Sequence, residues 1–213
     1  MTLYLSRDPD ADQLLSRDPL ALLIGMVLDQ QIPLERAFKS PSDLRERLGV
    51  ELDAGAIAAM DPETLASVFS TPPALHRFPG SMAARVQALC SVVVSDYGGR
   101  AEDVWAGAET GAELLRRVNA LPGFGEQKAR IFVALLAKQL AVTPPGWEEA
   151  AGPFGTPGSY LSVADIVDAE SLTRVREHKS AMKAAAKAAA PAARAGAGAK
   201  PGSRAGAGAG AGA

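Results

Sequence analysis

Cysteine and histidine are scarce in this sequence, which has one cysteine, Cys90, and two histidines among 213 residues. A single cysteine excludes an internal disulfide, a four-cysteine zinc site and a four-cysteine iron–sulfur cluster. The two histidines have no ligand partner at a useful spacing. We therefore expect a protein without a metal, an iron–sulfur cluster or another cofactor.

Long apolar runs are also missing. The longest run, residues 20–28, has nine residues, which is too short to cross a bilayer. The N-terminus has no basic segment followed by an apolar stretch, so a secretory signal is not evident. With 47% hydrophobic residues, the chain is nevertheless typical of a globular protein. These features predict a cytoplasmic protein without a membrane segment.

Acidic residues are absent from the C-terminal part of the chain. Residues 179–213 hold six basic residues and no acidic one, whereas residues 1–178 hold 16 basic and 24 acidic residues, a net charge of −8. Such an acidic body is not the basic face expected of a nucleic-acid-binding protein. We predict a folded domain over residues 1–178 and a disordered basic tail over residues 179–213, because the tail has little apolar surface to bury. The start of the tail, rich in Ala and Lys, is predicted to be helical.

The apolar periodicity of the body is typical of helices. The predicted helices cover residues 20–31, 40–49, 61–69, 81–97, 110–120 and 125–140, and a final helix begins at Asp168 or Ser171. Residues 142–158 are rich in proline and glycine and are predicted to form a loop with at most one helical turn. No segment alternates for long enough to predict a sheet. The fold class is therefore predicted to be all-α.

The most specific pattern is LPGFGEQKA at residues 121–129, between two predicted helices. Its two glycines, Gly123 and Gly125, permit a tight turn with backbone conformations that other residues avoid. They also leave amide N–H groups uncovered at a helix N-terminus, which can bind a phosphate oxygen. Lys128 and Arg130 would add local positive charge. The same pattern also suits an ordinary glycine-containing connection between two helices.

This segment resembles the helix-hairpin-helix of the HhH-GPD superfamily of base-excision DNA glycosylases, which includes endonuclease III and 3-methyladenine DNA glycosylase type II. The family hairpin reads L-P-G-[VI]-G-x-x-[TS/K]-A. Residues 22–32 resemble the first core helix of the family, which ends in a glutamine, and residues 78–89 resemble a mid-domain helix with the pattern G-x-x-x-x-K-A. The three segments occur in the family order. The resemblance implies a helix-hairpin-helix glycosylase fold and a role in base-excision repair.

The resemblance also implies double-stranded DNA as the partner. Glycosylases take the target base out of the stack, and a side chain must fill the gap that is left. The family glutamine near that gap falls on Gln31, with Gln30 beside it, although two polar residues could also merely cap a buried helix. The residues expected to contact DNA are Gln30, Gln31, Gly123, Phe124, Gly125, Gln127 and Lys128.

Cleavage of an N-glycosidic bond needs a carboxylate near the sugar, to stabilise developing positive charge or to activate water. The family places an aspartate beyond the hairpin helix, but the corresponding distance here ends near residues 147–149, where no aspartate stands. An insertion of the proline-glycine loop could delay it. Asp165 is then the first candidate catalytic residue and Asp168 the second, with Glu148 or Glu149 third. None of these residues need be catalytic.

Bifunctional members of the family use a hairpin lysine as a Schiff-base nucleophile. That lysine stands two residues after the second hairpin glycine, a position that Gln127 occupies here. Lys128 follows it, and a shift of one residue turns a helical side chain by about 100°. The resemblance therefore implies a monofunctional glycosylase in which Lys128 contacts phosphate.

Three functions remain open at this point. The first is a monofunctional DNA glycosylase that acts on a damaged or mismatched base as a cytoplasmic, nucleoid-associated monomer. The second is a DNA-binding protein that keeps the fold and has lost the chemistry, because the aspartate is displaced. The third is a helical protein–protein module, because the body is acidic.

Overall fold

A computed structural model describes residues 2–194. The regular structure in this part of the chain is helical throughout, which confirms the all-α prediction for these residues. The α-helices are α1 Pro9–Arg17, α2 Pro19–Leu28, α3 Leu34–Leu48, α4 Ala54–Ala59, α5 Pro62–Ser70, α6 Pro79–Tyr97, α7 Gly111–Asn119, α8 Glu126–Leu140, α9 Trp147–Ala151 and α10 Ala169–Arg194. Short 3₁₀ turns cover Ala101–Val104, Gly152–Gly155 and Val163–Asp165. The last part of the predicted tail, residues 195–213, lies outside the described residues.

Helix α2 forms the centre of the fold. All of its residues from Leu20 to Leu28 are buried, and a helix that is apolar on every side must be enclosed by neighbours. Helices α1, α3 and α6 supply that enclosure. Asp18 caps the helix, because its carboxylate accepts the amide N–H groups of Leu20 and Ala21 at 2.9 and 3.1 Å. Burial of each large aliphatic side chain stabilises the fold by roughly 1.5–3 kcal/mol.

Several helix limits differ from the sequence-based prediction. Helix α2 ends three residues early, because Asp29 leaves the helical conformation with φ −72° and ψ 71°, and Gln31 further on is left-handed with φ +57°. Helix α3 starts at Leu34 and not at residue 40, and Pro41 lies inside it. The prediction took Pro41 for a helix start, because proline favours the first turn. Helices α1 and α4 were not predicted, although both begin after an aspartate whose side chain caps the first turn, Asp8 in α1 and Asp53 in α4.

Helices α7 and α8 form the arms of a hairpin that rests on the segment before α9. The amide of Gly111, the first residue of α7, donates to the carbonyl oxygen of Pro145 at 2.8 Å. A Cβ atom at Gly111 would lie 2.4 Å from the carbonyl oxygen of Gly146 and 2.5 Å from the Cα atom of Trp147. This close backbone contact fixes the position of α7 and therefore of the turn that follows it.

Helix α10 begins after Asp168, whose carboxylate accepts the amide N–H of Ser171 at 2.8 Å. It runs through residue 178 without a break and so joins the end of the predicted domain to the start of the predicted tail. An ion pair between Arg176 and Glu35 connects it to α3. No helix in residues 2–194 is long and apolar enough to span a membrane.

We predict that Gly111→Ala lowers the free energy of unfolding by about 2–3 kcal/mol, because the new methyl group overlaps fixed backbone atoms. Urea unfolding followed by circular dichroism measures this loss. Gly80→Ala is the control, because a Cβ atom at Gly80 in α6 meets open space. Equal stability of the two variants would contradict the close contact.

Candidate functional site

The turn between α7 and α8 is anchored by two apolar side chains. Leu121 and Phe124 are buried, and the ring of Phe124 packs edge-on against Phe132 with the ring centroids 5.5 Å apart. The amide of Phe124 donates to the carbonyl of Leu121 at 3.1 Å. The side chain of Phe124, predicted to contact DNA, therefore belongs to the core.

The two hairpin glycines have different surroundings. Gly123 has φ +89°, and an added Cβ atom would lie 3.0 Å from Cδ of Arg85 and 3.1 Å from Cγ2 of Val27. Gly125 precedes α8, is exposed, and offers open space to a Cβ atom. The turn and its packing therefore require glycine at position 123. At position 125, the absence of a side chain leaves the backbone at the N-terminus of α8 accessible.

The first turn of α8 presents free backbone donors. Among the described residues, the amide N–H groups of Gly125, Glu126 and Gln127 donate to no other protein group. Unpaired N–H groups and the positive end of the helix dipole favour an anion at this point. The geometry is therefore suited to one phosphate group, as the hairpin pattern predicted.

Lys128 points away from that surface and into the fold. Its ammonium group donates to the carbonyl oxygens of Met26 and Val27, at 2.6 and 3.3 Å, in the last turn of α2. Burial lowers the pKa of Lys128, the carboxylate of Asp29 opposes this shift, and Arg85 adds to it. The ammonium group of Lys128 thus binds backbone carbonyls inside the protein. Its predicted contact with phosphate stays a prediction.

The two glutamines after α2 are placed differently. The side-chain amide of Gln30 donates to the carbonyl of Val27 at 2.7 Å, and its oxygen accepts a hydrogen bond from Arg85 at 3.1 Å. Gln31 is exposed and has no such contact among the described residues. Gln31 is thus the better placed of the two to reach a bound duplex, and the predicted contacts of both glutamines stay predictions.

The loop that carries these glutamines is held by a buried histidine. Nε2 of His76 lies 2.8 Å from the carbonyl oxygen of Gln30, and Nδ1 lies 3.0 Å from the backbone nitrogen of Phe78. Because the backbone N–H must donate to Nδ1, the proton of a neutral ring is on Nε2, where it donates to Gln30. Sequence reasoning gave His76 no role beyond excluding a metal site.

A cavity of about 440 Å³ lies directly beside the hairpin. Its polar lining includes Asp29, Gln127, Lys128 and Lys179, together with the backbone of Gly125. A second cavity of about 420 Å³ shares Gln127 and Lys179 with it and continues along α10. The lining of the second cavity is largely apolar and includes Ile131, Phe154, Leu161 and Met182. The two form one cleft between α8 and α10, which we call the hairpin cleft.

Asp29 is a carboxylate in this cleft that sequence reasoning missed. It follows the last residue of α2 and is half-buried. Burial raises the pKa of Asp29, whereas Lys179 and Lys128 oppose that shift and Glu35 adds to it. The available signal was its place directly after the apolar run and next to the two glutamines. Its place in the site becomes evident only in the tertiary structure, where the hairpin contacts the end of α2.

Asp165 and Asp168 line a different cavity, also of about 440 Å³, together with Trp147 and Tyr160. The carboxylate of Asp165 accepts hydrogen bonds from Lys138 at 2.6 Å and from the amide of Leu161 at 2.9 Å. Its side chain is only 3% exposed. The structure therefore brings these two aspartates together, but not with the hairpin.

Asp168 is an exposed helix cap, and the amide of Ser171 lowers the pKa of its carboxyl group. Neither Asp165 nor Asp168 lines the hairpin cleft. Glu148 and Glu149, the third choice, are exposed at α9 and do not line it either. The catalytic roles of these four residues stay predictions. The two aspartates have structural contacts instead: Asp165 pairs with Lys138, and Asp168 caps α10.

No group of three or more histidine, cysteine or acidic side chains in the described part of the chain is arranged to hold a metal ion. The ring nitrogens of His76 are both in use, as described above. Cys90 is buried in α6, and burial raises the pKa of its thiol to about 12. A thiol in this environment behaves as a small apolar side chain.

Comparison with known families agrees with the hairpin and the fold. A family model described as HhH-GPD superfamily base excision DNA repair protein matches residues 24–193. Because this match covers most of the chain, the protein belongs to the HhH-GPD superfamily, a family of DNA-binding base-excision repair glycosylases. The resemblance drawn from the sequence is thereby confirmed. No curated protein matches the chain.

We predict that Asp165→Asn lowers the free energy of unfolding by about 3 kcal/mol, because it breaks a buried ion pair and leaves the charge of Lys138 without a carboxylate. Asp168→Ala, which removes an exposed helix cap, should lower the stability less than Asp165→Asn does. The exposed Glu177→Gln in α10 serves as the control. Urea unfolding of the three variants checks the order, and an unchanged stability of Asp165→Asn would contradict a structural role.

Proposed function

We propose that this protein is a monofunctional DNA glycosylase that hydrolyses the N-glycosidic bond of a damaged or mismatched base in duplex DNA. The observation that carries the proposal is the hairpin cleft, in which the open N-terminus of α8 and the adjoining cavity share Gly125 and Gln127. A phosphate site next to a cavity is what an enzyme needs when it turns one nucleotide out of the duplex. In the same proposal the protein acts as a monomer in the cytoplasm, on the nucleoid.

Binding through backbone amides suits the charge of this protein. Amide groups at a helix N-terminus hold phosphate without side-chain charge, so a net acidic body does not exclude a narrow contact with DNA. Arg85, exposed on α6 and packed against Gly123, adds a cation next to the turn. It stands at the basic position of the mid-domain pattern, G-x-x-x-x-K. Lys179 adds a second cation at the wall of the cleft.

In this proposal Gln31 enters the duplex when the target base leaves it. Its side chain is exposed three residues beyond the end of α2, and its backbone is left-handed with φ +57°. A non-glycine residue in that conformation is uncommon, and such strain is found most often at functional sites. An uncharged amide can both donate to and accept from the base that has lost its partner.

The proposal is limited to hydrolysis because the cleft lacks a free amine at the family's nucleophile position. Gln127 occupies that position. The neighbouring Lys128 donates its protons to the carbonyls at the end of α2. A Schiff base needs an unprotonated amine with access to C1′ of the sugar. Water is then the acceptor of the sugar, and the product is an intact strand with an abasic site.

We predict base excision without strand cleavage on at least one duplex from a panel carrying hypoxanthine, uracil, 8-oxoguanine or 1,N⁶-ethenoadenine. Half of each reaction is treated with hot alkali, which cleaves abasic sites and so reveals excision. Both halves are then analysed by gel electrophoresis. Cleavage only after alkali is the expected result. Cleavage without alkali would contradict the monofunctional assignment, and DNA binding with no excision on any duplex would favour a binding protein that has lost the chemistry.

We predict that Gly125→Val weakens binding to duplex DNA about tenfold, because its side chain covers the amides of the first turn of α8 and removes a charge-assisted hydrogen bond. The fold should tolerate it, since a Cβ atom at Gly125 meets no neighbour. Ser67→Val on the exposed face of α5 is a control that adds a similar side chain without changing charge. Fluorescence anisotropy with a labelled duplex gives the two dissociation constants, and equal affinities would contradict the phosphate site.

A further inference from the structure

Two carboxylates line the hairpin cleft, and only one of them accepts a hydrogen bond from another side chain. Glu126 is exposed and its carboxylate accepts a hydrogen bond from Arg130 at 2.9 Å on the outer face of α8. Asp29 has no donor to its carboxylate among the described residues and lines the cavity between α2 and the first turn of α8. A half-buried carboxylate without local partners is costly for a fold, so its place at a cavity wall calls for a function.

The charged groups around Asp29 come from three other helices. Lys128 of α8 and Lys179 of α10 favour the ionised form of its carboxylate, whereas Glu35 of α3 opposes it. Glu126 also lines the cavity. Burial nevertheless prevails and raises the pKa of Asp29. The result is a carboxylate that binds a proton more readily than a surface aspartate does, which is the property of a general base.

We propose that Asp29 is the catalytic carboxylate of this protein and acts at C1′ of the nucleotide held in the hairpin cleft. This assignment rests on the proposed function. It replaces an aspartate beyond the hairpin helix by one at the end of α2, which lines the hairpin cleft. The reason is geometric, because Asp29 shares a cavity with Gly125 and Gln127, whereas Asp165 and Asp168 line a separate one.

The reaction that this position supports is hydrolysis. The C1′–N bond breaks, its electron pair leaves with the base, and the base takes up one proton from solvent. The Asp29 carboxylate faces the positive charge that develops on the sugar and accepts one proton from the attacking water. The water oxygen forms the new bond to C1′. Asp29 then returns its proton to solvent, so that water is the only co-reactant.

The test compares Asp29→Asn with the wild-type protein and with Asp18→Asn. Asp18 is a matched control, because it stands at the other end of α2 and burial raises its pKa as well. The probes are two duplexes, one with a pyrrolidine abasic analogue and one with an uncharged tetrahydrofuran abasic site. The protonated pyrrolidine nitrogen imitates the positive charge on the sugar in the transition state.

We expect the wild-type protein and Asp18→Asn to bind the pyrrolidine duplex at least about tenfold more tightly than the tetrahydrofuran duplex, and Asp29→Asn to lose this preference. Affinity for the tetrahydrofuran duplex should change less than threefold. On any duplex of the lesion panel that the wild-type protein cleaves, Asp29→Asn should reduce the excision rate at least about 100-fold. The rate of the wild-type protein should fall on acidification at a pH above the ordinary range of an aspartate.

Misfolding is separated from lost chemistry by thermal unfolding at pH 8. The raised pKa means that the folded state disfavours the ionised carboxylate, so stability is lost as the pH rises through that pKa. Asp29→Asn should therefore be at least as stable as the wild-type protein. A wild-type preference for pyrrolidine that survives in Asp29→Asn, or no preference in the wild-type protein, would overturn the assignment of Asp29. Absence of excision on the lesion panel contradicts the glycosylase proposal, which is a separate result.

Discussion

The contact between the ammonium group of Lys128 and the last turn of α2 is the interaction on which the candidate site depends. The end of a buried helix leaves carbonyl oxygens without partners, and two of them, from Met26 and Val27, receive Lys128. This contact joins the start of α8 to the end of α2. Because Asp29 and the two glutamines follow α2 directly, it brings them next to the hairpin and so creates the cleft.

The distribution of charge in the site explains how an acidic protein can belong to a DNA-binding family. Positive charge is concentrated near the hairpin, where Arg85 and Lys179 flank the open amides of α8. Lys128, a third cation in this region, donates its hydrogen bonds to carbonyl oxygens inside the protein. Affinity in this arrangement comes from few contacts, mostly to backbone, so the contribution of counterion release is expected to be small. Acidic side chains elsewhere on the surface would then limit unspecific binding.

Much of the fold could be predicted from local patterns. The buried helix α2, the long helices α6 and α8 and the single turn at α9 follow from apolar periodicity, caps and glycines. The limits that were missed have a different origin. Helix α2 ends where Asp29 leaves the helical conformation, and Pro41 lies inside α3, where tertiary packing outweighs its low helix propensity. The hairpin was predicted correctly, because its glycines are needed by the turn itself.

The sequence by itself determined the helical class, the hairpin with its exposed amides and the superfamily, since each depends on residues that are close together along the chain. Only the tertiary structure decided which polar groups share a cavity. It placed Asp165 and Asp168 in a separate pocket, Lys128 inside the fold and Asp29 in the hairpin cleft. The physical reason is that burial and the pKa of a carboxylate depend on neighbours from distant segments, here α8 and α10, which no spacing along the chain reveals.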